Sequence, residues 1–245
     1  MKVIEGLVVI VLIFVVLSFG DDRSEEAVTK MPKIELHAHL HGSVRRTTML
    51  ELAAEMNITT PLKLSLDHYD HGAVDKPFEL FPIVHSIVDR KEVVRRILLE
   101  MIQDYKALNA IYLEIRTTPR SLPDGTSIAG YLQLVTQIIA EYNTGSPEDM
   151  LVKLIVSIDR SKKYSDAVDL MQLIQKYTYV GEEKVIVGVD FSGNPLGGRF
   201  QDFASLFTEA RRIGLNVTVH TAELKQLSEK REDDTDETGF ILDYW

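Results

Sequence analysis

"LVKLIVSIDRSKKYSDAVDLMQLIQKYTYVGEEKVIVGVDFSG", residues 151–193, decides the fold class. Its opening, "LVKLIVSID", is an apolar, β-branched run that ends in ionisable residues, and "KVIVGVDFSG" repeats the form. Between them, "DAVDLMQLIQKY" spaces its apolar residues as a helix does. A strand, a helix and a second strand in that order make a crossover, so the two strands run parallel. Parallel strands are buried on both faces and read as near-continuous apolar runs.

The same unit recurs outward from this stretch. "KIELHAHL" and "AIYLEIRTTP" precede it and "LNVTVHTAE" follows, each apolar at its start and polar at its end. Helical patterns separate them: "RRTTMLELAAEM", "FELFPIVHSIVDRKEVVRRILLEMIQDYKAL", "IAGYLQLVTQIIAEY" and "FASLFTEARRIG", the last stopped by Gly214. Strands start near residues 33, 110, 151, 184 and 215, and the later units repeat about every 30 to 40 residues. A sixth is expected near 245. Alternating strands and helices, with polar groups gathered at strand C-termini, predict an α/β fold: a TIM (β/α)8-type barrel, incomplete, with about five of eight βα units. A doubly wound open sheet is the rival; the lack of a Gly-rich phosphate turn after the first strand favours the barrel.

Composition narrows the function. With 245 residues, 45% of them hydrophobic, the chain can bury one sizeable core. The excess of 37 acidic over 27 basic residues argues against a nucleic acid polymer as partner, while a small anion held by one local Arg stays possible. Cysteine is absent, which excludes disulfides, thiol nucleophiles and Cys-ligated zinc, including deaminases built on P-C-x-x-C. Residues 1–20 contain an apolar run, Leu7 to Phe19, broken only by Ser18; it suits a signal-peptide core or a hydrophobic anchor, although Glu5 spoils the basic leader. Residues 21–30 read as a polar linker and 31–245 as the folded domain.

Candidate chemistry sits at the strand ends. His37 and His39 alternate on one strand, so both rings face the same side, and His41 lies just beyond on the loop. His220 ends another strand. Neutral imidazoles converging from two strands can hold Zn²⁺ with room for a carboxylate and a water. Glu223 is either a proton shuttle or a solvated carboxylate at a helix start. "VGVDFSG" offers Asp190, Ser192 and Gly193 but no bridging Lys or Glu for a second metal, so one ion is expected. Gly193 suits either close approach to a flat ligand or a tight turn. Thr117, Thr118 and Arg120 form a polar rim for phosphate or carboxylate, or an ordinary loop, and Asp159 carries the same ambiguity. By itself His85, in an apolar helical setting, reads as a packing residue. "SEKREDDTDE" reads as solvated surface.

"MPKIELHAHLHGSVRRTTMLELA", "YLEIRTTPR", "VSIDR", "VGVDFSGNPLGG" and "VTVHTAE", taken in order, resemble the adenosine/AMP deaminase family, and its adenosine deaminase-like branch, the N6-methyl-AMP deaminases, above all. The likeness runs from about Pro32 onward and implies a barrel with one zinc ion. It implies His37, His39 and His220 as metal ligands and Glu223 as the catalytic proton donor. It further implies His39, His41, His85, Thr117, Thr118, Pro119, Arg120, Asp159 and Gly193 as contacts to a purine nucleoside monophosphate, in a family of monomers. His41 departs from the Asn or Asp usual in that family.

The implied reaction is attack of hydroxide at purine C6 while Glu223 protonates N1, releasing ammonia or methylamine. The resemblance also implies a sixth-strand His and an Asp pair beyond "FILDYW". Their absence raises the alternative of a truncated, inactive barrel fragment whose unclosed sheet exposes strand edges and apolar faces. A secreted adenosine deaminase is a further alternative, because the apolar start points to the secretory pathway or a membrane anchor whereas the resemblance points to the cytosol.

Overall fold

The computed structural model describes residues 28–58, 76–146, 148–223 and 237–244, and Pro32–Trp245 form one compact unit. The apolar start and the linker, apart from residues 28–30, lie outside the described residues, as does "SEKREDDTDE" apart from Glu237.

In chain order the elements are β1 (Lys33–His39), α1 (Arg46–Glu55), α2 (Lys76–Ile87), α3 (Lys91–Ala107), β2 (Ala110–Thr117), α4 (Ile128–Gly145), β3 (Leu151–Asp159) and α5 (Tyr164–Tyr177). A small hairpin, β4 (Tyr179–Val180) with β5 (Glu183–Lys184), precedes β6 (Ile186–Ser192), α6 (Phe200–Arg212), β7 (Asn216–Val219) and α7 (Glu237–Tyr244). The main sheet has five parallel strands in the order β1-β2-β3-β6-β7. That order never reverses. A doubly wound sheet requires a reversal at its switch point, whereas a barrel wall grows in one direction. The strands form part of a barrel.

One face of the sheet carries the core. Leu113 pairs with Val152, Ile115 with Leu154 and Val156 with Val189, all fully buried. They share a core with Leu132, Val135 and Ile139, the i, i+3, i+7 stripe of α4. Ser127 starts that helix by accepting a hydrogen bond from the Gly130 amide at 3.1 Å. Gly214, at φ 80°, follows α6 as expected, because the left-handed turn after a helix favours glycine.

The opposite face departs from the expectation of strands apolar on both sides. There Glu114 lies beside Lys153, Ser157 beside Asp190 and Asp190 beside Thr218, with Ile155 an apolar exception opposite Arg116. Lys153 donates to Glu183 Oε1 at 2.6 Å, and Tyr112 donates to Glu114 at 2.8 Å. This inner wall is therefore a network of paired polar groups rather than an apolar surface. Charge is tolerated there because each group has a partner.

The long helical pattern around residues 78–108 is also two helices, not one. α2 ends at Ile87, and Arg120 reaches over to donate to the carbonyls of His85 (2.8 Å) and Val88 (2.5 Å). A guanidinium satisfying helix-end carbonyls substitutes for the next turn. Asp124 then accepts from the Lys91 amide at 2.8 Å and starts α3.

Candidate metal centre

β1 and β7 deliver three imidazoles to one point. The Nε2 atoms of His37, His39 and His220 lie 3.2, 3.0 and 3.1 Å apart, each within reach of the other two. Alternation puts His37 and His39 on one side of β1. His220 follows the last residue of β7, and its amide extends the ladder by donating to Phe191 O at 2.8 Å.

Hydrogen bonding among the three rings cannot account for this triangle. Each Nε2 has one proton or one lone pair, directed along one line in the ring plane, so three mutual contacts exceed what three such atoms can satisfy. A cation satisfies all three at once. Zinc–nitrogen distances of about 2.0–2.1 Å in a tetrahedral shell place ligand nitrogens about 3.3 Å apart, close to what is found here. Among the described residues these three histidines are the group of side chains placed to share an ion.

The electrostatics favour the neutral, ligating form. Burial, then the Arg116 charge, pushes His37 down to about 4; burial, then His220, does the same for His39. Neutral imidazole is the form that binds metal.

His220 is oriented from behind. Its Nδ1 lies 3.0 Å from Asp190 Oδ1, on β6. A carboxylate facing Nδ1 keeps the proton there and leaves the Nε2 lone pair for the metal. Asp190 is fully buried and also accepts from Arg116 Nη1 (3.1 Å), Ser157 (2.9 Å) and Thr218 (2.9 Å). Burial alone would raise its pKa; the His220 hydrogen bond and charge, Arg116 and Thr218 outweigh it and hold the carboxyl at about 2. Arg116 in turn donates to Leu36 O at 3.1 Å, tying β1 to the same network.

Sequence reasoning weighed Asp190 only as a missing bridge between two metals and gave Arg116 no role. A signal was present: an Asp inside "VIVGVDFSG" and an Arg inside "YLEIRTT" interrupt buried parallel strands, and such charges require partners.

A second group of expected contacts gathers around His41. This side chain is 7% exposed; its ring lies edge-on to His85 at 5.3 Å and stacks toward Tyr131 at 6.4 Å. His41 Nε2 and Arg120 Nε are buried without hydrogen-bond partners among the described residues. Burial, then His85 and Arg120, lowers His41 to about 3, and burial, then Arg120, lowers His85. Thr117 directs its hydroxyl to Tyr131 at 2.7 Å on the helix side of the sheet, and Pro119 is buried between half-buried Thr118 and Arg120.

Asp159 and Gly193 meet at the ends of β3 and β6. Gly193 has φ 103°, and a Cβ there would come within 2.5 Å of Asp159 Oδ1, so both backbone conformation and close approach require glycine. Asp159 accepts from the amide and hydroxyl of Ser161, at 2.9 and 2.6 Å. Glu223 is half-buried, one residue past Ala222, whose φ of 57° turns the chain sharply after the histidine.

One reading is corrected outright. Glu237 closes "SEKREDDTDE", read as solvated surface, yet its side chain is 16% exposed and paired with Arg160 at 3.2 Å. Composition groups it with its neighbours in sequence; the helix it begins turns it inward.

A family model described as adenosine deaminase matches residues 32–232. N6-mAMP deaminase of Arabidopsis thaliana is 32% identical over 225 residues, covering 81% of this chain and 62% of that protein. The adenosine deaminase-like protein of Drosophila melanogaster is 34% identical, covering 85% and 62%. The crystal structure of Arabidopsis ADAL complexed with IMP superposes with a TM-score of 0.76 at 29% identity, covering 89% of this chain and 64% of that one. The chain thus spans about three fifths of the length of the curated relatives it matches.

Proposed function

Because the chain belongs to the adenosine deaminase family, we propose that it carries the metal-binding and purine-binding part of a zinc-dependent hydrolytic deaminase. The substrate is an N6-substituted purine nucleoside monophosphate, with N6-methyl-AMP going to IMP and methylamine. The observation that carries this reading is the triangle of His37, His39 and His220 with its Asp190 support. Names among the relatives and the IMP-bound neighbour support the choice of nucleotide.

His37, His39 and His220 would hold the ion. A bound zinc ion supplies Lewis acidity that brings the pKa of water toward neutrality. Asp190 keeps the His220 ring in its ligating tautomer. Glu223 holds a proton for purine N1, so that negative charge does not build on the ring as water oxygen joins C6 and the amine departs. His41 and His85 flank the purine. Arg120, whose Nε lacks a partner among the described residues, attracts the phosphate.

The test is release of methylamine from N6-methyl-AMP by the zinc-loaded chain, alongside Glu223→Gln. Turnover lost in Glu223→Gln, with zinc still bound, supports the assignment; turnover unchanged by that substitution removes Glu223 from the mechanism. A chain that binds the metal and nucleotide without turnover is the second reading, and the same assay separates the two. Stoichiometric zinc and IMP binding with no methylamine would establish it.

A further inference from the structure

His220 is gripped at a third point that the fold and the proposed chemistry do not by themselves require. Its amide is held by Phe191 O and its ring by Asp190. Its carbonyl, past the end of β7, accepts from Arg160 Nη2 at 2.9 Å. Arg160 follows β3; its side chain is 2% exposed, and its guanidinium carbon lies 4.6 Å from the Phe191 ring centroid. Its other arm, Nη1, donates to Glu237 Oε2, while Glu237 Oε1 accepts from the Phe200 amide at 2.6 Å. A second tie runs alongside: the Thr221 and Thr238 hydroxyls are 2.8 Å apart. The first turn of α7 is therefore stitched to the two residues that lead into Ala222 and Glu223.

We propose that Arg160 and Glu237 form a latch by which α7 positions the metal ligand His220 and the turn carrying Glu223; this rests on the metal reading above. Three features give it a role beyond stability. The guanidinium gives each of its two acceptors a separate amino group in one rigid plane, which the rotatable donors of an ammonium do not. It is held over an aromatic face and by a carboxylate that is itself fixed to α6, so its direction is set. And the segment it holds contains a left-handed Ala222, a conformation that costs an L-residue about 1 kcal/mol and reverts unless neighbouring contacts hold it. Arg160 and Glu237 are positioning residues; neither contacts the cluster of Nε2 atoms.

The experiment uses the whole chain loaded with zinc or Co²⁺ and reads metal release to a chelator and the Co²⁺ visible spectrum. Glu237→Ala and Arg160→Lys should each speed release about tenfold, the lower end of what supporting shells contribute, and alter the spectrum. Lysine keeps the charge but lacks the planar fork that directs a separate donor to each acceptor. Glu237→Gln, which keeps shape and folding, should give an intermediate rate. Val94→Ala, a core truncation in α3, is the comparison of similar stability cost. If Glu237→Ala, or Glu237→Gln should the former not fold, releases metal no faster than Val94→Ala and leaves the spectrum unchanged, the latch is only structural and the proposal fails. His220→Asn tests the underlying reading separately: metal retained at full stoichiometry in that variant would overturn the site itself, not merely the latch.

Discussion

Asp190→Asn should damage this protein in two separable ways. The carboxylate is fully buried and accepts from four side chains; asparagine can keep most of those contacts by turning its oxygen toward Arg116, Thr218 and His220 and its amide toward Ser157. What it cannot keep is the charge. Arg116, 7% exposed, would become an uncompensated buried cation, and breaking such a pair from one side costs about 3–5 kcal/mol. Replacing both partners is milder, so the double variant Arg116→Met/Asp190→Asn should fall at least about 2 kcal/mol short of the sum of the singles. Urea unfolding of the metal-free proteins, followed by far-UV circular dichroism, measures this cycle. Zinc affinity, by chelator competition, should drop about 10–100-fold in Asp190→Asn, because a neutral amide oxygen polarises the imidazole less than the carboxylate and leaves His220 a weaker ligand. Single variants that add to within about 0.5 kcal/mol would show that Arg116 and Asp190 do not act as a pair, and the account of how His220 is oriented would fall with it.

Other outcomes follow from the same geometry. The metal-free protein should lose stability as pH falls from 6.5 toward 4, because unfolded histidines take up protons while folded His37, His39 and His41 resist. For buried His41 the effect over this range is at most about 3 kcal/mol, and His41→Gln should flatten the pH dependence of the melting temperature; an identical slope would contradict the burial argument. Asp190, depressed below its ordinary value, contributes stability that is present above about pH 4 and disappears only as pH drops through about 2. Gly193→Ala should destabilise by about 2 kcal/mol or more through its φ of 103° and the clash with Asp159, whereas Gly145→Ala, with open space at the end of α4, should be neutral or stabilising by up to about 1 kcal/mol; thermal melts compare the two. Arg120→Met should raise KM for N6-methyl-AMP about tenfold more than KM for the nucleoside, since the loosened end of α2 affects both substrates and the lost phosphate contact only one; an equal rise for both would remove Arg120 from phosphate recognition.

Much of this molecule could be read in one dimension. Parallel strands separated by helices announce themselves through apolar runs and helical spacing, since both are local consequences of what each segment must bury. His37 and His39 were legible because a strand's alternation is itself local, and Gly214 because a left-handed helix end favours glycine. The break between α2 and α3 was not, since the group that ends α2 is Arg120, more than thirty residues away in sequence. The hairpin at β4 and β5, turning at Gly181 (φ 61°), was passed over because two-residue strands carry no period to detect.

The sequence by itself determined which segments become strands and helices, and which residue types wait at the strand ends. Tertiary structure alone decided the partners: that Asp190 stands behind His220, that Arg116 meets Asp190 across 74 positions, and that Glu237 leaves a charged run to hold Arg160. Periodicity records which way a side chain faces relative to its own backbone. A buried charge is satisfied by whatever the folded sheet brings within about 3 Å of it, and that neighbour is set by register and crossover, which no local window contains.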